Sequence, residues 1–264
     1  MWLDWRIAAA AAVVLVALGC TLRPTTARRA AARPFLFETA VVLALYAIWH
    51  WVGLITVTQS DGALRNAQSV VNIEQVLHIG SERAWQQAVL SYPWLVQAAN
   101  IFYAVVHVPA LIVLLVWCFV RHRDRYPAVR NVVALTTLGC LLIQLIPVAP
   151  PRMFPGFVDT GLTYGQSVYG AGTVSADQVA AMPSLHVGWA ALIAAAVIVV
   201  SESKWRWWIL AHPVITTVVV VVTANHWWLD GIAAVAVLAA AEALRRALAF
   251  GFVWVRARAF AFST

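Results

Sequence analysis

Apolar residues run along this chain in long, nearly unbroken stretches separated by short polar turns. Seven of these stretches approach the roughly 20 apolar residues that a helix needs to cross a bilayer. They lie at 7–22, 35–57, 94–120, 132–148, 185–200, 207–224 and 229–250. The pattern predicts an all-α fold, a polytopic bundle of about six to seven transmembrane helices, the first and fifth runs being the shortest. Two polar interruptions are too long to be turns. Segment 58–93 sets Val71, Val76, Leu77, Trp85 and Val89 at helical spacing among Glu74, Gln75, Glu82, Arg83 and Gln86, which predicts one or two interfacial helices on the outer side. Segment 149–182, rich in Gly, Pro, Ser, Thr and Tyr, predicts a lid-like loop between the fourth and fifth spans. No repeat, low-complexity linker or soluble domain breaks the chain. It therefore reads as one membrane-embedded domain over 1–264: N-terminal spans and interfacial segment at 1–93, a core at 94–250 and a cytoplasmic tail at 251–264.

Composition agrees with the pattern: 62% of residues are hydrophobic, 11% are charged, and the mean hydropathy is +0.80. The first run and the "ALGC" ending at Cys20 imitate a lipoprotein signal. The basic stretch that follows (Arg23, Arg28, Arg29, Arg33) resists export and predicts a retained span. A net charge of +7 would suggest nucleic acid in a soluble protein. Here the positions of the cations decide otherwise. Threading the spans with that basic stretch inside leaves Arg6, Arg65, Arg83 and Arg152 alone on the outer side, out of 18 Lys and Arg, so the positive-inside rule accounts for the charge and no nucleic acid partner is expected. Cys20, Cys118 and Cys140 all fall within spans and read as small apolar side chains, not as a disulfide or metal set.

Three outer span ends carry the candidate chemistry: "PVAPPRMFP", "MPSLHVG" and "TANHWWLDG". His226 and Asp230 are four residues apart, within reach on one helical face, so the carboxylate can fix the imidazole tautomer. Ser184 and His186 open an apolar helix behind Pro183, where free N–H groups favour an anion. Arg152 adds an outer cation. Taken singly, these are a solvated histidine, a helix cap and a snorkelling arginine. Together at one membrane face they describe a phosphate pocket with two histidines and an acid.

"APPRMFP", "AMPSLHVGWA" and "TANHWWLDG" together resemble the type 2 phosphatidic acid phosphatase superfamily over about residues 100–231, in the branch that contains inositol phosphorylceramide synthases. That resemblance implies a core of the superfamily's fold and metal-free, cofactor-free phosphoryl transfer through a phosphohistidine. His226 would be the nucleophile, Asp230 its orienting partner, His186 the acid on the leaving oxygen, and Arg152 with Ser184 the phosphate clamp. The chain departs from the superfamily pattern at Leu145, where a lysine is usual, at Met153 after the arginine, at Val220 in place of an arginine, and at Leu185 between serine and histidine. Losing two cations calls for other help. The candidates are Asn225, the helix starts at Ser184 and His226, and Arg83 or Arg65 folded over from segment 58–93. Asn100, Tyr103 and His107 form a polar stripe on the third span, expected to meet a headgroup or acceptor.

The expected substrate is a lipid phosphate from the outer leaflet of a bacterial plasma membrane, with the active site extracytoplasmic. Hydrolysis is the simpler reaction. Transfer to inositol or another polyol uses the same residues and stays open, as does a non-catalytic transporter or scaffold. An aspartate-rich phosphatidyltransferase motif, a His–x4–Asp acyltransferase motif and a rhomboid Gly–x–Ser–Gly are all absent. Vanadium haloperoxidases share the oxyanion pocket but are not hydrophobic bundles.

Overall fold

A computed structural model describes residues 4–23, 25–57, 60–167 and 179–261. Part of the expected lid, 168–178, and the end of the tail, 262–264, lie outside them. The described residues are helical, with one isolated β-bridge between Val148 and Ala180. The helices are α1 (Trp5–Thr21), α2 (Ala27–Val57), α3 (Ser60–Val76), α4 (Glu82–Leu90), α5 (Pro93–Val105) and α6 (His107–Arg121). They continue as α7 (Tyr126–Ile143), α8 (Thr160–Thr163), α9 (Leu185–Val200), α10 (Ala211–Val222) and α11 (Trp228–Ala261).

Helices Ala32–Ile55, Tyr126–Ile143 and Lys204–Val222 are each long and apolar enough to cross a membrane, and α5 with α6 makes a fourth if that bent pair is one span. α1 and α9 are apolar but shorter. In α11, Asp230, Glu242, Arg245 and Arg246 interrupt the apolar run. The third predicted span is thus broken, bending by 47° between α5 and α6. The cause is local: Pro109 has no N–H to return to the Val105 carbonyl, so the ladder fails one turn earlier. The described part of segment 58–93, from residue 60 on, holds two helices, α3 and α4, the second capped by Ser81 Oγ accepting from the Ala84 N–H.

α9 sits at the centre, against α6, α7, α10 and α11. It is apolar on every side, burying one face against these helices while Val199 near its end faces outward. Small residues bring its neighbours close. A Cβ on Gly188 would touch Ala234 at 3.4 Å, one on Gly231 would touch Val187 at 3.4 Å, and one on Gly139 of α7 would meet Val237 of α11 at 2.8 Å. This close approach seats the start of α11, with Asp230, beside the start of α9, with His186. α1 packs on α2, and α2 on α7, so the N-terminal hairpin lies to the side of this core. Large apolar side chains such as Val13, Phe35, Val113 and Val199 face outward, as a lipid-facing surface requires.

Candidate active site

Backbone hydrogen bonds bring the three sequence motifs together. The Arg152 N–H donates to the Ala224 carbonyl at 2.9 Å, and the Ser184 N–H donates to the Asp230 carbonyl at 3.1 Å. Val148 closes the β-bridge to Ala180: its N–H donates to the Val179 carbonyl at 2.8 Å, and its carbonyl accepts from the Ala181 N–H at 3.1 Å. The Trp227 indole N–H donates to the Ala149 carbonyl at 2.9 Å, and its ring packs edge-on against Phe154 and Phe157. His226 itself stands in the turn between α10 and α11. The Val220 carbonyl accepts the N–H groups of Asn225 and His226, at 3.0 and 3.2 Å, to close that turn. Ala224 takes a left-handed conformation there, φ 53°, at a cost of roughly 1–2 kcal/mol for a residue with a Cβ.

The surroundings of His226 fix its tautomer. Nδ1 lies 2.7 Å from the Ala181 carbonyl oxygen and 3.2 Å from Asp230 Oδ2. A carbonyl only accepts, so Nδ1 carries the proton and the lone pair of the neutral ring is on Nε2. Nε2 is buried, and no described group hydrogen-bonds it. Asp230, with no exposed surface, also accepts from the Trp227 N–H at 2.9 Å. One carboxylate therefore orients both the ring and the backbone that bears it.

His186 lies in the first turn of α9, whose N-cap is Ser184, with Oγ accepting from the Val187 N–H at 3.4 Å. Its ring centroid is 5.6 Å from that of His226. Tyr103 stacks on it at 4.3 Å and His107 meets it edge-on at 4.5 Å. The Nδ1 of His107 is 3.3 Å from the Tyr103 carbonyl, so that ring too holds its proton on Nδ1.

Beside the histidines, a small hollow open to solvent is lined by Asn100, Tyr103, Arg152, Asp159, Gly161, Gln166, Ser167 and Asn225. The histidines adjoin it: Tyr103 stacks on one, and Asn225 immediately precedes the other. The Arg152 side chain is only 5% exposed; its Nη1 donates to Asn225 Oδ1, and its Nε lies 3.6 Å from Asp159 Oδ2. Asn100 is engaged by the loop rather than directed at open space. Its amide donates to the Thr160 carbonyl and to Gln166 Oε1, both at 3.1 Å, and its Oδ1 accepts from Thr160 Oγ1 at 2.8 Å.

His226, Asp230, His186, Ser184, Arg152, Asn225, Tyr103, His107 and Asn100 thus occupy one end of the bundle. Of the substitutes for the missing cations, Arg65 is exposed on α3, while the Arg83 guanidinium covers Gly156, where φ is +89° and a Cβ would lie 2.6 Å away. The start of α11 is already taken, because the N–H groups of Trp228 and Leu229 donate to Glu82 Oε1 at 3.2 Å and to Glu74 Oε1 at 2.7 Å. Val220, where the superfamily has an arginine, is buried in apolar packing.

Several residues of the site escape the sequence reading. Asp159 gives no local signal in a polar loop. Gln86, 1% exposed, binds both the N–H and the carbonyl of Val158 at 2.9 Å, yet it looks like one more polar residue of an amphipathic helix. Glu74 and Glu82 do leave a trace: they are carboxylates on a stretch that is otherwise apolar at helical spacing.

No curated protein and no solved structure matches the chain. The model of the PAP2 superfamily matches residues 68–244, about two thirds of the length, and takes in α4 and the end of α3 as well as the three motifs. Members of that family are generally phosphatases or phosphotransferases. With that match over the residues that build the site, the chain belongs to the PAP2 superfamily.

Proposed function

We propose that the protein is a lipid phosphate phosphatase that works without metal, through a phosphohistidine on His226. The observation that carries this reading is the pinned imidazole: both acceptors lie at Nδ1, which leaves the Nε2 lone pair to attack phosphorus. Attack forms an N–P bond and breaks the P–O bond to the lipid alcohol, whose oxygen takes a proton from His186. Water then gives its proton back to His186 and displaces His226, releasing phosphate. Arg152 holds the phosphoryl oxygens, and the substrate's phosphate would take the place of Asp159 beside it. The bundle provides six to seven spans in this reading, and the site opens on the extracytoplasmic face of a bacterial plasma membrane, where the outer arginines stand. The lipid tails stay in the hydrocarbon while the headgroup enters sideways.

A second reading, transfer of a phosphoryl headgroup to inositol or another polyol, is favoured by the hollow itself. Tyr103, Asp159, Gln166, Ser167 and Asn225 line it with hydroxyl, amide and carboxylate groups of the kind that bind a polyol. A phosphodiester donor would also suit a wall with one guanidinium, since it carries one negative charge where a monoester carries nearly two. The test is phosphate release from purified protein in lipid vesicles, offered phosphatidate, polyprenyl phosphates or phosphoinositides with and without inositol. Release that resists chelator, stops with vanadate and is lost in His226→Ala supports the reading. A polyol adduct in place of free phosphate selects the second reading, and transport of the lipid without bond cleavage refutes both.

A further inference from the structure

The first turn of α11 is held from outside by two acids that belong to other helices. Glu74, near the end of α3, and Glu82, in the first turn of α4, are 5% and 6% exposed. Their Oε1 atoms accept the N–H groups of Leu229 and Trp228, the donors that a helix start leaves free. Trp85 of α4 packs edge-on against Trp228 at 5.5 Å, so the contact is a packed seam. Asp230 and His226 lie within three residues of these bonds. Burying carboxyl groups is costly unless they are paired, and ordinary helix caps are exposed serines or aspartates from the same chain segment.

Resting on the phosphoryl-transfer reading of the site, we propose that Glu74 and Glu82 are positioning residues for the reaction: through the N–H groups of Trp228 and Leu229 they fix the start of α11, and with it the placement of Asp230 and His226. They touch neither substrate nor the reacting atoms. The geometry also makes the seam sensitive to pH. The charges facing Glu74 are Glu82 on α4 and Asp230 on α11, while Arg83, next on α4, is turned to Gly156. Burial, and then the Glu82 carboxyl within hydrogen-bonding reach, push the Glu74 carboxyl up to about 8; the Leu229 N–H opposes this. Below that pH, Glu74 is protonated and can donate to Glu82 while its other oxygen still accepts from Leu229. A raised carboxyl pKa means that the closed seam holds its proton more tightly than an opened one. The seam is therefore firmest at low pH, weakens as pH rises from the ordinary 4.5, and has lost this contribution once Glu74 ionises above about 8.

The experiment compares wild type, Glu74→Ala, Glu74→Gln and Glu82→Ala in lipid vesicles, measuring kcat and KM on the active lipid phosphate across pH and amide exchange of the α11 start by mass spectrometry. Glu74→Ala and Glu82→Ala should lower kcat about 10- to 100-fold with KM little changed, the size expected when a reacting group is misplaced by about 1 Å. Glu74→Gln keeps an acceptor for Leu229 and a donor for Glu82, so it should restore kcat and lose the alkaline fall near pH 8 that wild type shows. Full kcat in both alanine variants overturns the proposal. So does a glutamine variant as slow as the alanine one with the wild-type alkaline fall intact. If wild type turns over no lipid phosphate, the phosphoryl-transfer reading fails by itself, and exchange alone decides the seam: faster exchange at Trp228 and Leu229 in Glu74→Ala supports it, and unchanged exchange overturns it.

Discussion

Replacing Asp230 by asparagine isolates the electrostatic part of the His226 arrangement, because the structure separates tautomer from charge. In serine-protease triads the amide replacement of the orienting acid costs about 10⁴ in kcat, since the imidazole adopts the wrong tautomer. Here the Ala181 carbonyl, at 2.7 Å, is nearer to Nδ1 than Asp230 is, at 3.2 Å, and it holds the proton on Nδ1 by itself. Asp230→Asn therefore leaves Nε2 nucleophilic. It removes a buried charge that stabilises the positive ring as the N–P bond forms, a charge-assisted hydrogen bond worth about 1.5–3 kcal/mol. At 1.36 kcal/mol per tenfold, the loss in kcat is about 13- to 160-fold. The Asn Oδ1 can still accept from the Trp227 N–H, now at 2.9 Å, so the backbone of the turn keeps its anchor. KM should stay within about threefold, since Asp230 has no exposed surface from which to touch substrate. Single-turnover release of the lipid alcohol from a lipid phosphate in vesicles measures the step directly, with His226→Ala as the inactive control. A loss near 10⁴ would show that the carbonyl does not fix the tautomer. An unchanged kcat would show that the carboxylate plays no part in the chemistry. Either result refutes the reasoning.

Arg152→Lys should lower kcat/KM about 10²- to 10³-fold, because an ammonium cannot reproduce the planar fork that meets Asn225 and Asp159; vesicle kinetics measure it, and an active lysine variant would show that charge alone suffices. Asn100→Ala removes three hydrogen bonds to Thr160 and Gln166, and should release the 160–166 loop to limited proteolysis at a stability cost of about 1–3 kcal/mol. Gly139→Ala drives a methyl to 2.8 Å from Val237 and should destabilise the bundle by about 1–3 kcal/mol in detergent unfolding, while Val237→Ala in the same chain should relieve the clash and recover most of it.

The sequence reveals what depends on neighbours in the chain. Apolar runs mark the helices because a span must satisfy its own backbone, and His226 with Asp230 can be read as a pair because their spacing is local. The break at Val106 was open to the same reasoning, since Pro109 lies four residues after Val105, but an apolar run of that length conceals it. The ends of the fourth and sixth spans are less legible. The fourth helix stops at Ile143, and a turn then carries the chain to Val148, which bridges to Ala180. Nothing in residues 144–148 alone announces a partner more than 30 positions away. The same limit hides the roles of Asn100, Gln86 and Glu74: each is one polar residue on a helix, and its meaning lies in Thr160, Val158 or Leu229, far along the chain.

Those distant partners also explain how a membrane protein of this kind can hold a polar site without a rigid soluble scaffold around it. Each segment that bears chemistry is tied to another through its backbone: Arg152 to Ala224 and Ser184 to the carbonyl of Asp230 by main-chain bonds, and the N–H groups of the α11 start to the carboxyl groups of Glu74 and Glu82. Main-chain ties do not depend on which side chain stands at the tied position, so residues such as Leu145, Met153 and Val220 can depart from the superfamily pattern while the turn that carries His226 keeps its shape. Val220 is the clearest instance. Its side chain is part of the apolar packing, yet its carbonyl still accepts the N–H groups of Asn225 and His226 and so still sets the backbone of the proposed nucleophile. In the proposed reaction, what such a departure changes is the charge around the phosphoryl group, and that concentrates the electrostatic demand on Arg152.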